Sequence, residues 1–135
     1  MSKLDGKVAL ITGAAKGLGR GIAETYARHG ARLCLLDADP SVEEVAKQLH
    51  VQRGTQAISI VASVTDKEQV RRAAKATREA FGSLDIACCN AGICRLAPFE
   101  DFPDEDLEAS IDVNIRGVWN TCQSVIPYML EAASS

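Results

Sequence analysis

Val8-Ala9-Leu10-Ile11-Thr12-Gly13-Ala14-Ala15-Lys16-Gly17-Leu18-Gly19 carries an apolar run into three glycines and then into a helical pattern. The run is short and unbroken, as in a strand buried on both faces. In the turn that follows, Gly13 lets the chain reverse, Gly17 lets an anion approach the backbone, and Gly19 lets the next helix pack closely. Free N–H groups at the helix start point at that anion. Strand, turn and helix together predict a pyrophosphate site, with Gly13, Lys16, Gly17, Leu18 and Gly19 around it.

Glycine-rich turns occur in many loops for steric reasons alone, so the flanking pattern decides. Beyond the helix, Ala31-Arg32-Leu33-Cys34-Leu35-Leu36 reads as a second buried strand and ends in Asp37. That acid lies about 20 residues past the glycines, the spacing of a carboxylate that binds a ribose diol. It accepts hydrogen bonds from the free 2′-hydroxyl of NAD and repels the 2′-phosphate of NADP. Lys16 pulls mildly the other way, since its ammonium suits a phosphate. The acid outweighs it, so NAD is the expected cofactor and NADP the less favoured one.

The remaining chain alternates apolar runs with amphipathic stretches, the signature of parallel strands with crossover helices on both faces of a sheet. A first helix is expected from 17 to 28 or 29, stopping at Gly30. Asp39-Pro40 offers a cap and a first-turn proline for a second helix toward Gly54. A third strand is expected over 56–62, after which Thr65 and Glu68 have capping-box spacing for a third helix ending near Gly82. A fourth strand over 84–89 leads into the turn Asn90-Ala91-Gly92. Along a final helix from 104 or 105, Leu107, Ile111, Ile115, Val118, Cys122, Ile126 and Met129 recur at three- and four-residue steps and read as a core face. Pro127 is expected to bend or end that helix. The fold class is α/β: a Rossmann-type, doubly wound parallel sheet in three αβα layers.

With 135 residues, 47% of them hydrophobic, the chain supports one domain over 1–135. A net charge of -3 and a pI near 5.4 argue against nucleic-acid or anionic-lipid partners. No stretch has the length of a secretion signal or a membrane span, so the cytoplasm is the expected location. The five cysteines are an odd number, and Cys34, Cys88 and Cys89 fall on predicted buried strands, which suits a reducing compartment. No metal site is expected from Cys88, Cys89 and Cys94, because adjacent strand residues face opposite ways and neither His29 nor His50 lies near in sequence.

Taken together, these residues resemble the short-chain dehydrogenase/reductase family. Its signature TGxxxGxG matches Thr12 to Gly19, and Asp37, Asn90-Ala91-Gly92 and Asp112-Val113-Asn114-Ile115-Arg116-Gly117 follow in the family's order. The resemblance implies NAD held by the glycine turn, by Asp37, by Ser63 and Val64 after the third strand, and by Asn90, Ala91 and Gly92 on the adenosine side. It gives Asn114 the catalytic task of anchoring a water in a proton relay. It further implies a small alcohol or carbonyl substrate and a homo-oligomer paired through the final helix.

Two departures from the family are local. Ser63 replaces an aspartate that bonds adenine, which removes charge assistance from the contact. Cys89 replaces an asparagine that opens the Asn-Ala-Gly turn. A third is larger: the family's catalytic serine and Tyr-x-x-x-Lys pair have no counterpart, for Tyr26 is followed four places on by Gly30 and Tyr128 by Ala132. In that pair the tyrosine is the general acid or base, and the lysine lowers its pKa. The implied molecule is the cofactor half of an NAD-dependent dehydrogenase acting on CH–OH groups, truncated after the fourth strand and its following helix, and inactive alone. Its fourth strand would be an unpaired edge. The alternative is a dinucleotide-binding or dimerising module without turnover.

Overall fold

The computed structural model describes residues 2–135. Strands β1 (Val8–Thr12), β2 (Arg32–Asp37), β3 (Ala57–Val61) and β4 (Ile86–Cys88) form one parallel sheet in the order β3-β2-β1-β4. Helices α1 (Gly17–Arg28), α2 (Val42–Arg53) and α3 (Lys67–Phe81) make the crossovers, and α4 (Asp104–Ile111) and α5 (Gly117–Ala133) follow β4.

Every residue of β1 is buried, because a strand lies on each side of it and helices cover both faces. Strand alternation divides the core in two. Ala9, Ile11, Leu33 and Leu35 pack with Ala23 and Ala27 of α1 and Val45 and Leu49 of α2. Val8, Leu10, Cys34 and Leu36 pack with Val70, Ala73 and Ala74 of α3 and Val125 of α5. This is the doubly wound, three-layer arrangement that the sequence predicts, and β4 is an edge strand bonded to β1.

Local expectations fail where polar side chains choose their own partners. Helix α3 is capped by Asp66, whose carboxylate accepts from Glu68 N and Gln69 N at 3.1 Å each, and the expected Thr65/Glu68 capping box does not form. The backbone at Asp66 is extended, so its short charged side chain doubles back onto the first turn, while the Thr65 hydroxyl pairs with Ser63 Oγ at 2.7 Å. Ser41 takes the cap position of α2, and Asp39 instead accepts from Ser41 N at 2.9 Å in the turn before it. Strand β4 has three residues, bonded on one side alone; Cys89 lies beyond it, and Cys88 and Cys89 are half-buried.

The expected long final helix is interrupted by a π turn at Asp112–Arg116. Such a turn inserts one residue, about 100° of helical phase, so a stripe counted at regular spacing divides there. Its members Leu107, Ile115, Val118 and Ile126 are exposed, at 46, 65, 37 and 48%. Buried instead are Gly117, Asn120, Thr121, Ser124 and Val125. A Cβ at Gly117 would lie 2.6 Å from Val64 Cγ2, so glycine is what admits this close crossing. Thr121 and Ser124 satisfy their hydroxyls on carbonyls four residues back, and Asn120 Nδ2 donates to Val64 O at 2.9 Å. Pro127 lies inside α5 and does not end it. The carbonyl it deprives of a donor belongs to Gln123, an exposed residue.

Candidate cofactor site

At the carboxyl ends of β1, β2 and β4 lies an open cleft of about 490 Å³. It opens where the chain order reverses: β2 lies to one side of β1, and β4 arrives on the other. Gly13, Lys16 and Leu18 form one wall, Asp37, Ser63 and Val64 a second, and Asn90, Ala91 and Gly92 a third. Leu36, Ala38, Ala62, Ile93 and Val113 line it as well, though nothing in their spacing marks them as cofactor contacts.

Gly17 and Gly19 shape the turn without lining the cleft. Gly17 has φ +58 and open space where a Cβ would be, so the backbone there is bare. A Cβ on Gly19 would fall 2.0 Å from Gly13 O and 2.6 Å from Asn90 Nδ2, so Gly19 packs under the turn itself.

Thr12 joins the two turns. Its Oγ1 accepts from Asn90 N and Ala91 N at 3.0 Å each, while Asn90 Nδ2 donates back to Thr12 O at 3.2 Å and Gly13 O at 3.3 Å. The Asn90 side chain therefore locks the glycine turn. Thr12, flanking the first glycine, stands out in the sequence only as part of a signature, since its partners lie 78 and 79 residues away.

Asp37 is fixed before any ligand arrives: Oδ2 accepts from Ala15 N and Oδ1 from Asp39 N, both at 2.9 Å. Each oxygen keeps a lone pair for a further donor. Hydrogen bonds from Ser41 hold the Asp39 carboxyl below its ordinary range, and the charge of Lys16 adds a smaller pull. Ser63 is braced as well, its N–H donating to Gln69 Oε1 at 2.8 Å and its hydroxyl paired with Thr65.

Asn114 stands in the π turn and does not line the cleft. Its Nδ2 donates to Ile93 O and its Oδ1 accepts from Ile93 N, both at 2.9 Å, so it clamps a residue that does line it. Arg95, Leu96 and Phe99 are absent from the walls; Arg95 lies 3.8 Å from Asp106, and Leu96 and Phe99 are almost fully exposed. Among the described residues, no group of three or more His, Cys, Asp and Glu side chains is set to hold a metal ion, and no helix is long and apolar enough to cross a membrane.

A parallel sheet wound on both faces, with a glycine turn at its reversal point, defines a Rossmann-like α/β protein. The chain belongs to the short chain dehydrogenase family, whose model matches residues 7–135. The family consists of oxidoreductases that bind nicotinamide dinucleotide and act on small molecules. Over 130 residues the chain is 49% identical to the oxidoreductase UcpA of Escherichia coli (strain K12), covering 96% of this chain and 49% of that protein. Among solved structures it superposes with a TM-score of 0.91 on a short chain dehydrogenase from Mycobacterium paratuberculosis bound to NAD, at 30% identity over 96% of this chain and 53% of that one. It also superposes, with a TM-score of 0.88, on an alcohol dehydrogenase from the archaeon Thermococcus sibiricus complexed with 5-hydroxy-NADP, at 32% identity over 93% of this chain and 54% of that one. The chain spans about half the length of the curated relatives it matches.

Proposed function

We propose that this chain, residues 1–135, is the NAD-binding domain of a dehydrogenase acting on a small alcohol/carbonyl pair. The observation that carries the reading is the Asp37 carboxylate, held by two backbone N–H groups at the mouth of the cleft. The bare backbone at Gly17 suits a pyrophosphate, which a side chain would displace. Bound there, the cofactor supplies or accepts the hydride. Gly13, Lys16, Gly17, Leu18 and Gly19 would hold its phosphates, Asp37 its ribose hydroxyls, and Ser63, Val64, Asn90, Ala91 and Gly92 its adenosine end. NAD is favoured over NADP because Asp37 repels a 2′-phosphate, and Asp39 offsets the charge of Lys16.

Asn114 takes the family's proton-relay task, and its clamp on Ile93 supports a positioning part in it. No Tyr-x-x-x-Lys pair occurs in the 135 residues, so the chain alone turns over no alcohol. Its free cysteines fit a cytoplasmic location, and α5 pairs two copies into a homo-oligomer. Calorimetric titration tests the cofactor assignment: Asp37→Ala weakens NAD binding at least tenfold and narrows the preference over NADP, and Gly17→Val abolishes binding. Unchanged NAD affinity in both variants overturns the site, and steady NADH production by the chain alone overturns the claim of inactivity.

The second reading is a dimerising module without turnover. It draws on the exposed Ile115, Val118, Trp119, Ile126 and Leu130 of the final helical segment.

A further inference from the structure

Cys89 and Cys122 bring their sulfurs to 3.9 Å of each other. Cys89 follows β4 at the sheet edge, and Cys122 lies on α5, which covers that edge; both thiols are free and half-buried. A disulfide needs about 2 Å of further approach, which a turn of roughly 30° about each of the two Cα–Cβ bonds would supply. The other cysteines lack such a partner. Cys34 is fully buried, Cys94 is exposed, and Cys88 packs against the opposite, α1 side of the sheet.

We propose that Cys89 and Cys122 are a thiol-oxidation site that closes to an internal disulfide when it meets a low-molecular-weight disulfide oxidant. Burial, with the charge of Cys122 adding to it, pushes the Cys89 thiol up to about 12, which makes Cys89 the poorer first nucleophile. Cys122, as its thiolate, attacks one sulfur of the oxidant and expels one small thiolate. Cys89 then loses its proton to water, attacks Cys122 Sγ and expels the second small thiolate. The two protein sulfurs are together oxidised by two electrons, the oxidant is reduced to two thiols, and both protons end on those products. Because Cys89 directly precedes Asn90, the bond ties the turn that locks the glycine loop to α5.

The purified chain is incubated with oxidised glutathione and digested with trypsin without reduction. The expected result is a protein two mass units lighter, with peptide 79–95 joined to peptide 117–135. Cys88→Ser and Cys94→Ser keep the link, and Cys89→Ser and Cys122→Ser abolish it. Closure should also raise Tm in wild type by about 5–10 °C, since it shuts a long loop in the unfolded chain. Stable glutathione adducts without loss of the two hydrogens, or a link through Cys88 or Cys94, would overturn the proposal. The wild-type peptide map reads the outcome even where a variant fails to fold.

Discussion

Single side chains in this protein gain their weight from partners far away in sequence. Burial pushes the Cys34 thiol from 9.0 to about 11, with its hydrogen bond to the Thr77 side chain opposing it. Below pH 9 the thiol is protonated in both the folded and the unfolded chain and stability is untouched. From pH 9 to 11 the unfolded chain sheds the proton that the folded chain keeps, so stability falls as pH rises, by about 2–3 kcal/mol in all. Urea denaturation at pH 8 and pH 10.5 should show that loss in the wild type and a correspondingly smaller one in Cys34→Val. Thr12 offers a sharper case, since Thr12→Val keeps the shape while depriving Asn90 N and Ala91 N of their acceptor. The cost should be about 2–4 kcal/mol, read as a lower urea midpoint at unchanged slope. A midpoint within error of wild type would mean that water takes the place of the hydroxyl.

Among elements, β1 and β2 were legible because a strand covered on both faces is an unbroken apolar run, and the glycine turn was legible because its neighbours on either side agreed with it. The final helix was not, for two reasons. A π turn shifts its phase, and the face that α5 buries includes Asn120, Thr121 and Ser124, whose burial depends on bonds that hydropathy does not register. The same holds around the cleft: the glycines and Asp37 stand out by spacing, whereas Thr12 and Asn120, which brace its walls from behind, act through contacts 78 and 56 residues apart. At α3 the competition between Thr65 and Asp66 was settled by backbone direction, which residue type alone does not encode. Asp66→Ala should therefore cost about 1 kcal/mol in thermal or urea unfolding, and Glu68→Ala well under half of that. Equal losses would restore the capping box.

For the molecule as a whole, Ile115, Val118, Trp119, Ile126 and Leu130 leave the final helical segment with apolar side chains in solvent. Pairing through this segment, as proposed above, makes sedimentation velocity concentration-dependent. Trp119→Lys combined with Ile126→Lys should weaken association at least tenfold, and an unaltered dimer would move the contact elsewhere. The sheet order has a temporal side too. β1 leaves a ribosome before either of its neighbours in the sheet, yet one of its two flanks is met only by a segment 77 residues later, as the bond from Val8 N to Asp85 records. At ~5–20 residues per second that flank waits roughly 4–15 s for its neighbour. The nascent chain thus holds its most oily strand half-dressed for seconds, an interval in which a chaperone would find it.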